Sequence, residues 1–210
     1  MKKIITLFVA LMLPLFANAA NYTEGKQYTV VSESITKKPE VREYFSFYCP
    51  HCRSFEPIIG QAKKALPSEV KFQYNHVDFL RGASPQVQQM LSKAVVVAEQ
   101  LGMQEKLMAA LFNYIQVQRA VITSEKDIRN IFVLNGADGA KFDKLMKSSG
   151  VNSKAKQMKK NQDSLAQSRG LTSVPTVIIN GKYRINVSEL DKANFQKDFD
   201  NIIKHLLTLK

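Results

Sequence analysis

The stretch Val41–Cys52 reads VREYFSFYCPHC. Its first eight residues are rich in β-branched and aromatic side chains, which suit a pleated strand, and Pro50 then ends the strand sharply. Proline is also favoured at the first position of a helix, because the N–H that it lacks would have had no partner there. The stretch therefore predicts a strand over Val41–Tyr48 that runs into a helix reaching about Ala65, with Cys49 at or next to the N-cap.

A second strand follows this helix. Val70–Val77 reads VKFQYNHV, which is again rich in residues that favour strands. Two strands joined by a helix of this length form a β-α-β unit, in which the strands are parallel and the crossover is right-handed. The sequence therefore predicts an α/β unit with the two cysteines at the end of its first strand.

From residue 82 onward, apolar side chains recur at spacings of three and four, which indicates helices. Ser84-Pro85 and Ser124-x-x-Asp127 are typical helix starts, and Gly102 and Gly136 fall where helices should end. Residues 82–160 are therefore predicted to be all helical. The side chains expected on the helix faces are Val95, Ala98, Leu101, Leu107, Leu111, Ile115, Ile128, Ile131, Val133 and Leu134.

Strand patterns return near the C-terminus. Thr176–Ile179 is followed by Asn180-Gly181, a strong signal for a tight hairpin turn, and by Lys182–Ile185 as the returning strand. A last helix is predicted from Ser188-x-x-Asp191 to about Leu207. The predicted order is β-α-β, a helical insertion and β-β-α, and the insertion is expected to pack on the sheet because no flexible linker separates the two.

The first residues have the pattern of an export signal. Met1-Lys2-Lys3 is a basic head, Ile4–Phe16 is apolar, and Ala17-Asn18-Ala19 matches a signal-peptidase site. An uncleaved membrane anchor is the alternative, but the apolar run is shorter than the roughly 20 residues that span a bilayer. We therefore expect cleavage near Ala19 and export into a bacterial periplasm.

Composition narrows the classes of function. Hydrophobic residues make up 45% of the 210 residues, which allows a buried core and excludes intrinsic disorder. The two cysteines exclude a multi-bridge framework and any four-cysteine metal site. The net charge is +12, and Lys141–Arg169 is especially basic. A solvated face explains this stretch more simply than an acidic partner, and an exported protein is not expected to bind nucleic acid.

The sequence Cys49-Pro50-His51-Cys52 predicts redox chemistry. Two sulfurs spaced in this way at a helix start lie within bonding reach, and the short loop makes their disulfide reducible. The free N–H groups and the positive end of the helix dipole would stabilise a Cys49 thiolate, and a protonated His51 would add to this effect. An inert disulfide and a zinc half-site are the alternatives, although His76 and His205 lack metal-ligand spacing with the pair.

The sequence FSFYCPHC, the helical insertion and the Val174-Pro175 loop before an NGKY hairpin together resemble the DsbA family of bacterial periplasmic oxidases. The resemblance covers essentially the whole chain after the export signal. It implies an α/β thioredoxin fold interrupted by an all-helical insertion domain. Residues 20–81 and 161–210 would form the thioredoxin-like domain, residues 82–160 the insertion, and residues 1–19 the signal peptide.

The resemblance also implies a function. A monomer with no cofactor or metal would donate its Cys49–Cys52 disulfide to newly exported polypeptides that carry free cysteines. A quinone-linked membrane oxidase of the DsbB type would then restore the disulfide. Two alternatives stay open: a disulfide isomerase or reductase of the same fold, and a polypeptide-binding chaperone with secondary redox activity. Isomerases of this fold usually carry an extra dimerisation segment. Few residues lie between the expected cleavage site and the first predicted strand, so there is little room for such a segment.

A peptide-binding surface follows from the same resemblance. A proline at a strand start is ordinary in itself, but in thioredoxin folds a cis-proline loop faces the cysteines, which predicts a cis Val174-Pro175 bond. Val174 would offer its backbone N–H and C=O to an extended substrate. Ile59 and Phe195 match family positions that line a hydrophobic groove, although either side chain could equally belong to the core.

Glu43 and Glu56 are candidates for proton transfer. Glu43 lies among apolar neighbours on one strand face, and Glu56 lies two helical turns beyond Cys49. Burial there would raise the pKa of a carboxyl group and allow a proton relay to Cys52. The alternative is an exposed Glu56 and an edge-facing Glu43. The family usually has a buried lysine beside these acids, but Tyr74 occupies the position that matches it.

Overall fold

The computed structural model describes residues 22–209, so the export signal expected at residues 1–19 lies outside the described range. Five strands form one sheet in the order β1-β5-β4-β2-β3. The strands are β1 (Tyr28–Val30), β2 (Glu40–Phe45), β3 (Lys71–His76), β4 (Thr176–Ile179) and β5 (Tyr183–Ile185). β2 and β3 are parallel and the other neighbouring pairs are antiparallel, which confirms the predicted β-α-β unit.

Seven α-helices lie within the described residues. They are α1 (Pro50–Ala65), α2 (Pro85–Gln100), α3 (Gln104–Phe112), α4 (Glu125–Leu134), α5 (Gly139–Lys147), α6 (Ser149–Gln167) and α7 (Phe195–Thr208). Helices α2–α6, called the helical block below, lie between β3 and β4, and α7 follows β5. No helix within residues 22–209 is long and apolar enough to cross a membrane.

Local sequence signals set several of these boundaries. Ser84 caps α2 by accepting the N–H of Val87 at 3.3 Å, and Ser124 forms the predicted capping box with Asp127 at the start of α4. The β4-β5 turn is also confirmed: Asn180 and Gly181 have φ values of 53° and 68°. Asparagine and glycine tolerate this left-handed backbone, which matches the twist of a two-residue hairpin.

The helical block ends later than predicted. The boundary expected at residue 160 falls inside α6, which continues to Gln167. One face of α6 stays buried past residue 160, because Val151, Ala155, Met158 and Gln162 are all buried at spacings of three and four. Lys160, Asp163 and Ser164 occupy the exposed side of the same helix, so the change to polar residues does not end it.

Two further helix predictions were wrong. The last helix begins at Phe195 rather than Ser188, because Val187–Glu189 forms a 3₁₀ turn and Leu190 then has an extended backbone. Leu134, expected on a buried helix face together with Val133, is 85% exposed. The buried face of α4 is formed by Ile128 and Ile131, as predicted, and by Phe132.

The helical block packs directly against the sheet, as expected from the lack of a linker. The rings of Phe47, after β2, and Phe112, at the end of α3, lie 4.8 Å apart between centroids. Asn75 on β3 donates a side-chain hydrogen bond to the C=O of Met158 on α6 at 3.0 Å. The loop between β2 and α1, which carries Cys49 and is called the cysteine loop below, therefore lies against both the sheet and the helical block.

Gly82 lies where the chain passes from β3 to α2, with a φ of +143°. A Cβ atom there would lie 2.8 Å from Cδ1 of Tyr48, the residue before Cys49. We therefore expect Gly82→Ala to destabilise the protein by about 1–3 kcal/mol, from backbone strain and the clash. Gly60→Ala is the matched control, since its Cβ in α1 meets nothing within 4 Å.

The Gly60 substitution should raise the free energy of unfolding by about 0.5–1 kcal/mol, because alanine loses less backbone entropy in a helix than glycine. Urea unfolding of both variants and the unaltered protein measures the two effects. A Gly82→Ala protein as stable as the unaltered one would contradict the close approach of Tyr48.

Candidate active site

Cys49 caps helix α1. After β2 the N–H of Cys49 donates to the C=O of Ser46 at 3.0 Å, and Cys49 takes an extended backbone with φ −100° and ψ 112°. Its sulfur accepts the N–H of Cys52 at 3.4 Å. The sulfur thus lies against this N–H group at the N-terminus of the helix, the end of a helix dipole that attracts negative charge.

The two cysteines have different surroundings. Both are free, so the structure describes the dithiol form. Cys49 is 6% exposed, whereas Cys52 is completely buried. Burial raises the pKa of the Cys52 thiol well above its usual range, and the neighbouring Cys49 and Glu43 act in the same direction. Cys49 is therefore the sulfur that a substrate can reach, and Cys52 holds its proton in the dithiol form.

Pro50 and His51 occupy the first two positions of α1 and are exposed. The imidazole of His51 is therefore open to solvent between the two cysteines. His205 lies away from the pair, on α7, with its ring 5.4 Å from that of Tyr22. Among residues 22–209 no group of three or more His, Cys, Asp or Glu side chains could hold a metal ion.

The loop before β4 faces the cysteines. The Val174-Pro175 bond is cis, as the sequence resemblance implied. The thiol of Cys49 donates to the C=O of Val174 at 3.3 Å. Val174 itself is 9% exposed.

The acids Glu43 and Glu56 lie beneath the pair. Glu43 is completely buried on β2, which lies between β4 and β3 in the sheet, and neither of its carboxylate oxygens has a hydrogen-bond partner within residues 22–209. Burial raises its pKa well above the usual value, and Glu56 and Cys49 add to this. Burial also raises the pKa of Glu56 to about 7, against the opposing effect of Lys63. The alternative of an edge-facing Glu43 and an exposed Glu56 is therefore wrong.

Lys63 supplies positive charge next to these acids, and sequence reasoning missed it. Tyr74 pairs with Glu43 across β2 and β3 and is 5% exposed. The Nζ of Lys63 lies 5.7 Å from the centre of the Tyr74 ring and 3.5 Å from Oε1 of Glu105 on α3. The signal that could have revealed it is its position in α1, two helical turns after Glu56. A lysine therefore lies near the acids even though Tyr74 occupies the strand position.

A family model described as a DSBA-like thioredoxin domain matches residues 40–199. The chain belongs to this DsbA-like family. The thiol:disulfide interchange protein DsbA of Yersinia pestis is 36% identical over 216 residues, which cover 100% of both chains. The protein of the same name from Escherichia coli K12 is 35% identical over 212 residues, which cover 98% of both chains.

Solved DsbA structures have the same fold. The disulfide oxidoreductase DsbA from Proteus mirabilis has a TM-score of 0.78 and 31% identity, covering 90% of this chain and 98% of its own. A cysteine-to-serine variant of that DsbA with the non-covalently bound peptide PWATCDS has a TM-score of 0.80, with 31% identity and coverage of 90% and 100%. The present chain is therefore a thiol:disulfide oxidoreductase with the thioredoxin-like DsbA fold.

The two groove residues suggested by the DsbA resemblance have different positions. Ile59 is completely buried in the core, so it does not line an open groove. Phe195 is partly exposed at the start of α7, and its ring lies 6.3 Å from that of Phe55 and 6.1 Å from that of Phe199.

Two further residues of this DsbA-like site were not predicted. His76 is buried, and its ring is stacked on that of Phe47 at 5.3 Å. Burial lowers the pKa of His76 to about 3, so the ring is neutral at physiological pH. Gln116, just after α3, donates hydrogen bonds to the C=O groups of Phe47 and Cys49 at 2.7 and 3.0 Å. No sequence pattern marks Gln116, because these contacts join residues far apart in the chain.

Proposed function

We propose that the protein donates its Cys49–Cys52 disulfide to exported polypeptides that carry free cysteines. The observation that supports this direction is the Cys49 sulfur at the N-terminus of α1, beside a fully buried Cys52. Thiolate stabilisation at Cys49 favours the dithiol form, because the disulfide form has no thiolate to stabilise. A pair whose dithiol is favoured passes its disulfide on.

The transfer takes two steps. A substrate thiolate attacks the Cys49 sulfur, the Cys49–Cys52 bond breaks, and Cys52 leaves as a thiolate that takes up a proton. A second substrate thiolate then attacks the substrate sulfur of the mixed disulfide, and Cys49 leaves as a thiolate. The substrate has lost two electrons and two thiol protons, and the enzyme pair has gained the electrons.

Glu43 and Glu56 supply the proton for Cys52. A buried thiolate at Cys52 is costly, as the raised pKa of this thiol indicates. Glu43 is close enough to influence Cys52, and Glu56 influences Glu43. Because the pKa of Glu56 is raised to about 7, its carboxyl group can both hold and release a proton near neutral pH.

Substrates bind across the cis-proline loop. An extended peptide pairs with the backbone of Val174 beside Pro175, a mode that recognises polypeptide without reading its sequence. The peptide-bound DsbA from Proteus mirabilis supports this class of ligand. Phe195 and Phe55 offer a partly exposed aromatic surface at the start of α7 for apolar substrate side chains. His51 lies exposed beside the reacting sulfur.

The proposed cellular setting is the bacterial periplasm, after cleavage near Ala19. There the monomer would return its two electrons to a quinone-linked membrane oxidase of the DsbB type, which restores the Cys49–Cys52 disulfide. The protein needs no cofactor of its own for this cycle, and nucleic acid is not among its partners.

A redox titration tests the direction of transfer. The mature protein, equilibrated with reduced and oxidised glutathione, is expected to have a potential well above the roughly −270 mV of thioredoxin. The protein should also form a disulfide in a reduced two-cysteine peptide that is present at a higher concentration than the glutathione. A potential near the thioredoxin value would overturn the oxidase assignment and favour a reductase.

A further inference from the structure

A π-helical turn, Asn113–Val117, follows α3 directly. Turns of this kind are rare, and they occur frequently at functional sites because they change the direction of a side chain. Gln116 is the residue of this turn whose side chain reaches the cysteine loop. The turn belongs to the helical block, whereas the cysteine loop belongs to the sheet unit.

The Gln116 amide holds the loop on both sides of Tyr48. Its Nε2 donates to the C=O of Phe47 at 2.7 Å and to the C=O of Cys49 at 3.0 Å. The same Cys49 C=O accepts the N–H of Arg53 at 3.3 Å, the first backbone hydrogen bond of α1. Gln116 therefore contacts the loop where it enters the helix, next to the reacting sulfur.

We infer that Gln116 is a positioning residue that sets the redox potential of the cysteine pair. By holding the Cys49 carbonyl, it keeps Cys49 in the extended N-cap conformation in which the sulfur accepts the Cys52 N–H. A side chain without donors would remove one hydrogen bond from each of the Phe47 and Cys49 carbonyls and leave the Cys49 carbonyl held by the Arg53 N–H alone. The loop could then relax, so the Cys49 thiolate would lose stabilisation. The thiolate exists only in the dithiol form, so the pair would become less oxidising.

This inference rests on the proposed oxidase function, and its test separates the two. Gln116→Met keeps the length of the side chain and removes both donors. Gln116→Glu keeps shape and polarity, but at pH 7 places a carboxylate against two carbonyls, and it serves if the methionine variant does not fold. Gln118→Met is the matched control, because Gln118 is exposed and its side chain donates to Oδ1 of Asn113 at 2.8 Å.

Each mature protein is equilibrated with glutathione, and each redox form is unfolded in urea. Both Gln116 variants should shift the glutathione equilibrium about tenfold toward the disulfide form, which corresponds to the net free energy of about one hydrogen bond. Both should also destabilise the dithiol form more than the disulfide form. Gln118→Met should shift the equilibrium less than about twofold, a net change well under that of one hydrogen bond.

The outcomes are distinguishable. If the unaltered protein fails to oxidise the two-cysteine peptide, the proposed function fails. If the unaltered protein oxidises the peptide but the Gln116 variants keep its potential, the inference fails. Equal destabilisation of both redox forms would also overturn it, because Gln116 would then stabilise the fold without acting on the cysteine pair.

Discussion

Replacing Cys52 by alanine is expected to make the protein accumulate mixed disulfides with its substrates through Cys49. Cys49 is the sulfur at the helix N-terminus, and Cys52 is completely buried behind it. In this variant the Cys49 thiolate attacks a disulfide of a substrate protein, and one substrate sulfur leaves as a thiolate. The mixed disulfide then persists, because no Cys52 thiolate is present to attack the Cys49 sulfur and release the substrate. Non-reducing gels and mass spectrometry of cells that express the variant should show bands in which Cys49 is bonded to other proteins.

The matched variant is Cys49→Ala, which should show almost no trapped protein, because the remaining sulfur has no access to substrate. Equal trapping by the two variants would contradict the assigned roles. The double variant Cys49→Ser, Cys52→Ser should lose all oxidase activity. If it kept full cellular function, the polypeptide-binding chaperone would become the better assignment.

Replacing Glu43 by leucine is expected to stabilise the protein at pH 7 by about 2 kcal/mol, since burial of a polar group without hydrogen bonds costs about 1–3 kcal/mol. Glu43 is completely buried and its carboxylate oxygens lack partners among residues 22–209. Glu69→Leu, at an exposed carboxylate, is the control and should change the stability by less than about 0.5 kcal/mol.

The effect of Glu43 depends on pH with a definite sign. Burial raises its folded pKa above the unfolded value, so the folded state binds more protons between the two values. The stability that this group contributes is complete below the unfolded pKa and is lost as the pH rises toward the folded pKa. Urea unfolding from pH 4 to pH 8 should show the gap between Glu43→Leu and the unaltered protein widening as the pH rises. A gap that stays constant or narrows would contradict the buried carboxyl group.

The same substitution tests the proton relay. Glu43→Leu and the isosteric Glu56→Gln should both slow the oxidation of a two-cysteine peptide, because the leaving Cys52 thiolate would lose its proton source. Glu56→Gln should also flatten the pH dependence of this rate near neutrality, since the pKa of Glu56 is raised to about 7. Unchanged rates and pH profiles in both variants would remove these acids from the mechanism.

The parts of the fold that the sequence could predict depend on chemistry within a few residues. Pro50 after Cys49, the Ser124-Asp127 capping box and the Asn180-Gly181 turn all act through hydrogen bonds or backbone angles of near neighbours. The cysteine site could be predicted for the same reason, because the helix N-terminus and the two sulfurs lie within four consecutive positions.

The parts that could not be predicted depend on contacts between distant segments. β1 has only three residues and is defined by its pairing with β5. Ile59 and Leu134 are both apolar, and only packing against other elements separates the buried side chain from the exposed one. Lys63 contacts the Tyr74 ring and Glu105, which lie on other elements. Gln116 binds a loop that precedes it by more than 60 residues in the chain.

The contact between Cys49 and Val174 joins residues 125 positions apart in the chain. The whole helical block lies between them, and contacts of such high sequence separation form slowly, because a long loop must close before they are made. The cysteines are synthesised early, at positions 49 and 52 of the chain, whereas the loop opposite them is synthesised late. A newly made copy has its complete active site only when β4 has docked beside β2. Until then, the partly synthesised chain is an unfolded polypeptide with two free cysteines, the same kind of molecule that the folded enzyme is proposed to oxidise.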